Sequence, residues 1–196
     1  ARPLAPSMSE VILVRPGHTD FDEQNRIQGL LDLPLSERGR RHVDALVEQL
    51  RPLEIDVILT DPGEPARTTA EAIGAALDVT VKEHDDLRNL DQGLWQGLQI
   101  DDIRRKYPKL VKQWHDHPEA IERLRQALKK PLKKYGRIAI VAADPIATLI
   151  AGVVRGTKPD FTGPMCSHAG RCVEVLTNET GSGDGSTNGN GHAPSL

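Results

Sequence analysis

The run EVILVRPGHTD carries an apolar segment, residues 11–14, into Arg15-Pro16-Gly17-His18-Thr19. An arginine supplies a forked cation and a glycine lets the backbone approach a ligand closely. At the carboxyl end of a buried strand the pair reads as a phosphate site. Pro16 interrupts that pair: its tertiary amide nitrogen has no proton to donate and no lone pair with which to attack phosphorus. His18 adds an imidazole nearby, while Asp22 and Asp144 add carboxylates that oppose an anion. A metal reading of Cys166-Ser167-His168 with Cys172 is weak, because structural zinc takes four ligands at characteristic spacings. Nothing in the sequence brings His115 and His117 to that cluster, so no metal and no cofactor is expected.

The elements that must position these residues alternate between strand and helix. EVILV is a short apolar strand. Ser36 opens a helix with Val43, Leu46, Val47 and Leu50 at helical spacing. IDVILT is a second strand, and EPARTTAEAIGAAL a helix with Ala66, Ala70, Ile73 and Leu77 on one face. VTVK is a short third strand. Helical stretches follow over residues 100–107 and 109–115, and then Ile121, Leu124, Leu128 and Leu132 line one side of a longer helix. Pro131 should kink or end that helix. RIAIVAA is a fourth strand, after which Asp144 suits an N-cap and Pro145 a first helical position. CVEVLT is a last strand. This alternation implies an α/β fold, a three-layer α/β/α sandwich with a mostly parallel central sheet and its site at the carboxyl ends of the strands.

Arg15-Pro16-Gly17-His18-Thr19, Phe21-Asp22, Arg26-Ile27-Gln28-Gly29, Asp32-Leu33-Pro34-Leu35-Ser36 with Gly39, EPARTTAEAI and LRNLDQGLWQGLQIDDI together resemble the histidine phosphatase superfamily, which includes the cofactor-dependent phosphoglycerate mutases. The resemblance runs from about residue 10 to residue 177. It implies a phosphoglycerate mutase-like fold and a chemistry in which a histidine carries the phosphoryl group. Two arginines and a second histidine neutralise its oxygens, and an acid protonates the leaving oxygen.

Carried over position by position, the resemblance puts the nucleophile at Pro16, the second arginine at Pro65, the acid at Asn89 and the second histidine at Ala143. Asp144 stands at that histidine's glycine partner, Asp22 at the phosphate-touching asparagine and His18 at a family glutamate. Of the polar constellation only Arg15 stands. Asp22 adds negative charge where a dianion would sit, so the resemblance implies a phosphatase fold without phosphatase chemistry. The family's Gly-Glu-Ser roof loop also has no counterpart, since Trp114-His115-Asp116-His117-Pro118 leads almost directly into Glu119.

Pocket or ligand-binding candidates are therefore Arg15, Gly17, His18, Thr19, Asp22, Arg26 and Asp144, with no catalytic residue assigned. Arg15 is either a retained ligand group or a structural one paired with Asp22 or Asp144. His18 is either a substitute nucleophile or a histidine in the supporting shell. Trp95 reads as packing, and Lys129, Lys130, Lys133 and Lys134 as a solvated helix end that suits the helix dipole.

With 196 residues, 38% hydrophobic, 27% charged and a net charge of −3, the composition suits one soluble domain. Mild acidity argues against nucleic acid as a partner, and no apolar run reaches the roughly 18 residues of a membrane helix. Two cysteines are too few for a disulfide framework, and a cytoplasmic location is expected. Residues 1–7 read as processing or added residues before Met8. Residues 8–178 read as a single domain, and residues 179–196 as a disordered Gly/Ser/Asn-rich tail. The expected role is a noncatalytic one, a pseudo-phosphatase with a binding, scaffold or regulatory role toward a small ligand or a protein partner. The alternative is a phosphomonoesterase or mutase-like enzyme using Arg15 and a substitute nucleophile.

Overall fold

The computed structural model of the chain describes residues 9–113, 117–161 and 172–177. Expectations for the leader, the tail, His115, Cys166 and His168 fall outside these residues. The strands are β1 (Glu10–Val14), β2 (Val57–Thr60), β3 (Val81–Glu83), β4 (Arg137–Val141) and β5 (Val173–Thr177). The helices are α1 (Asp20–Glu23), α2 (Glu37–Leu50), α3 (Ala66–Leu77), α4 (Ile100–Lys106), α5 (Pro108–Gln113), α6 (Pro118–Lys134) and α7 (Ile146–Arg155).

The strands form one sheet in the order β3-β2-β4-β1-β5, parallel throughout except for β5, which runs antiparallel to β1. Side chains alternate across a pleated strand, and here both faces are covered. Val11, Leu13, Leu59 and Ile140 pack toward Leu124 and Leu128 of α6 and Leu149 and Ile150 of α7. Ile12, Val14, Ile58 and Val141 pack toward Leu46 and Leu50 of α2 and Ala70 and Ile73 of α3. The α/β/α sandwich is therefore built around the apolar runs of β1, β2 and β4, while the edge strands β3 and β5 carry polar residues and are partly exposed. Among the described residues no helix is long and apolar enough to cross a membrane.

Three local expectations need correction. Pro131 neither ends nor removes the last turn of α6, which continues to Lys134. Proline deletes one donor there, but the Tyr135 amide still closes onto the Pro131 carbonyl at 3.0 Å and Leu132 still packs on the core. Asp144 is not the N-cap of α7; Pro145 is. The Asp144 carboxylate nevertheless accepts the Thr148 amide at 3.1 Å, satisfying a first-turn donor from one residue further back. Glu64 does the same for Thr68 at the start of α3, at 3.2 Å. The third concerns α1, a single turn the sequence reading did not include. Thr19 caps it, and Asp22 reaches back to the Thr19 amide in a capping box.

Candidate functional site

Because β1, β4 and β2 are parallel neighbours, the loops leaving their carboxyl ends emerge side by side. Ala142 donates to the Val14 carbonyl (3.1 Å) and Asp61 to the Val141 carbonyl (3.2 Å), which staples the three exits together. Arg15, Pro16 and His18 follow β1, Pro65 lies in the β2–α3 loop, and Ala143, Asp144 and Pro145 follow β4. All of them line one cavity of about 320 Å³, together with Asp22 and Arg26. Gly17, Thr19 and Asn89 are not among its lining residues.

Arg15 is almost fully engaged. Its Nε donates to Asp144 Oδ2 at 2.8 Å and its Nη1 to Glu174 Oε2 at 2.6 Å, with longer contacts from Nη2 to Asp144 and to Thr148 Oγ1. The expected pairing with Asp22 is not formed. Burial works against the charge on this guanidinium, but Asp144 and Glu174 outweigh it and hold the pKa above its ordinary value. Thr148 Oγ1 also donates to Asp144 Oδ1, at 2.7 Å. The carboxylate is thus held by an arginine, a hydroxyl and a backbone amide.

Asp22 is occupied by the capping box, accepting at Oδ2 from both the amide and the hydroxyl of Thr19 (2.7 and 3.0 Å). Arg26 donates to the Gly97 carbonyl (2.6 Å) and to Gln24 (2.8 Å), tying the cavity edge to the loop before α4. The Gly17 amide is taken by Thr69 Oγ1 at 3.1 Å, and a Cβ on Gly17 would press on the Gly39 carbonyl and on Leu35 and Val43. Asn89 serves as a connector: its Nδ2 donates to the Gly29 and Asp144 carbonyls (3.3 and 3.2 Å), and its amide donates to Asp61 Oδ2 (3.1 Å). Burial raises the pKa of Asp61, against the lowering effect of the Gly63 and Asn89 amides.

His18 is buried, and its ring meets the ring of His42 edge to face with centroids 5.2 Å apart. Neither Nδ1 has a hydrogen-bond partner among the described residues. Burial, then His18 and Arg38, lower the pKa of His42, with Asp22 pulling the other way.

Several contributors escaped sequence reasoning. Thr148 and Arg155 lie four and eleven residues after Asp144, on the stripe of α7 that faces the cavity; that spacing was readable. Glu174 had no local signal. It is placed by the antiparallel register of β5, in which Glu174 pairs with Leu13 two residues before Arg15. Among the described residues no group of three or more His, Cys, Asp or Glu side chains could hold a metal ion. Cys172 is buried and disulfide-bonded.

The chain belongs to the histidine phosphatase superfamily: residues 11–162 match its branch 1. It is 32% identical over 160 residues to an uncharacterized phosphatase, PhoE, of Bacillus subtilis, covering 79% of this chain and 81% of that protein. It is 33% identical over 115 residues to phosphoserine phosphatase 1 of Hydrogenobacter thermophilus, where the match covers 59% of this chain and only 54% of the relative. The solved structure of a mycobacterial glucosyl-3-phosphoglycerate phosphatase superposes with a TM-score of 0.68 at 22% identity, over 76% of this chain and 82% of that one. That likeness concerns the fold.

Proposed function

We propose that this chain is a noncatalytic member of the superfamily, a pseudo-phosphatase that binds a ligand or partner. The observation that carries this reading is the state of Arg15, the one cation retained from the expected constellation, which is already paired with Asp144 and Glu174. A phosphate placed on Arg15 would meet the Asp144 carboxylate. At about 4 Å and an effective dielectric constant near 20, like charges repel by roughly 4 kcal/mol, as much as one arginine returns. Pro16, Pro65, Asn89 and Ala143 meanwhile offer no nucleophile, no second arginine, no acid and no second histidine, and losing a nucleophile alone commonly costs about 10⁴-fold or more in rate.

A second reading, phosphate transfer by an altered route, has His18 in its favour, since this imidazole lines the cavity and keeps Nδ1 unpartnered among the described residues. Its burial against His42 works against attack on a substrate. Hydrolysis of p-nitrophenyl phosphate from pH 4 to 9 separates the two. The proposal expects rates equal to buffer from folded protein. Turnover that disappears in both Arg15→Ala and His18→Ala would establish the second reading instead. A cytoplasmic location, the one expected from the composition, is tested by fractionating the cells that make the protein.

A further inference from the structure

The donors around Asp144 are those an oxyanion of a phosphate ester would take: an arginine Nε, a hydroxyl and an amide in the first turn of α7. A side chain of the protein thus fills the place of the anion. Most other charged groups facing the cavity are also held by neighbours, while Lys158 stands exposed at the rim with no ion pair among the described residues. Arg155 approaches Glu174 at 3.8 Å, Arg26 is spent on the Gly97 carbonyl and Gln24, and Asp22 holds Thr19. The apolar part of the described lining is formed by Pro16, Pro65, Ala143 and Pro145 from three loops, with Ile27 and Phe161 beside them.

A cavity of about 320 Å³ is at the lower end of the range for small-molecule sites. A charged ligand entering it would break matched pairs in a poorly solvated place, whereas an apolar one would only displace water. We propose that Asp144 and Glu174 are a built-in counter-anion for Arg15, and that the cavity takes an uncharged small molecule with an apolar body in place of a phosphate ester. This rests on the noncatalytic reading above and specifies its ligand.

The probe is N-phenyl-1-naphthylamine, a neutral dye whose emission rises in apolar sites, titrated into the full chain. Saturable binding is expected that millimolar inorganic phosphate does not displace. Ala143→Trp, which fills the cavity, should weaken it at least tenfold; Ala151→Leu, at another lining residue on α7, serves if that variant does not fold by circular dichroism. In parallel, calorimetry with inorganic phosphate should show at least tenfold tighter binding to Asp144→Asn than to the parent, since asparagine keeps an acceptor for Thr148 and removes the charge. Phosphate that displaces the dye, or that binds the parent as tightly as Asp144→Asn, overturns the inference. So does dye binding that is absent from the parent or unchanged in the filled variants. Aryl phosphate hydrolysis on the same preparations keeps the two levels apart. Turnover by the parent refutes the noncatalytic reading, and failure of dye binding without turnover refutes the ligand class alone.

Discussion

Removing the Arg15 side chain strands two carboxylates, Asp144 with a side chain only 9% exposed and Glu174 at 30%. Breaking a buried pair from one side is costly because the remaining charge keeps its desolvation penalty. Arg15→Ala should therefore lower the unfolding free energy by about 3 kcal/mol, read from urea denaturation at neutral pH. Asp144→Asn should cost less, as it leaves the Thr148 bonds an acceptor. A second residue-scale effect concerns His42. Its pKa is lowered in the folded chain, so the unfolded chain binds the proton more readily. The stability this site contributes is complete above the ordinary imidazole value of about 6.5 and falls as pH drops toward the lower folded value. Replacing His42 with asparagine should flatten the fall in denaturation midpoint between pH 7 and 5. An unaltered slope would show that His42 is not its source.

Among the elements, the start of α2 is held on two sides. Ser36 accepts the Gly39 amide at 3.0 Å and donates to Glu23 at 2.7 Å, which couples the cap of α2 to α1. Gly39 lies directly against the backbone of His18, and a Cβ there would collide with the His18 carbonyl oxygen. Gly39→Ala should cost about 3 kcal/mol, at the upper end for overpacking, because backbone on both sides must move. It should also shift the His18 resonances in an NMR spectrum, since the two segments touch. Ser36→Ala, which only loses a cap, should cost about 1 kcal/mol. Equal costs for the two would mean that the loop yields more easily than its packing implies.

Over the whole molecule, the sheet determines where chemistry can occur. β4 lies between β1 and β2, so its exit loop is flanked by theirs. Ile140 sits in that central strand with no exposure. Ile140→Ala should lower stability by about 3–4 kcal/mol, visible as a lower urea midpoint with an unchanged denaturant slope. If the strand exits move with it, dye binding in the cavity should weaken as well; a variant that loses stability and keeps the site unaltered would show that the exits are held by their own hydrogen bonds.

The inner strands were legible as short continuous apolar runs, the helical stripes as a period of 3.6 and the helix start at Ser36 as a capping residue type, each a local signal. So was the family resemblance. The partner of Arg15 was not decided there, because Asp22 and Asp144 were both within reason and Glu174 lies far along the chain. The antiparallel register of β5 brings Glu174 beside Arg15, and the capping box draws Asp22 away to Thr19. Pro131 shows the same division: local propensity favoured a break in α6, yet the helix continues past it with Leu132 packed against the core. Sequence by itself determined the layers and the strand exits. Only tertiary structure decided which charges neutralise one another, because a charge pairs with what the fold places within hydrogen-bond reach and not with what lies near it in the chain.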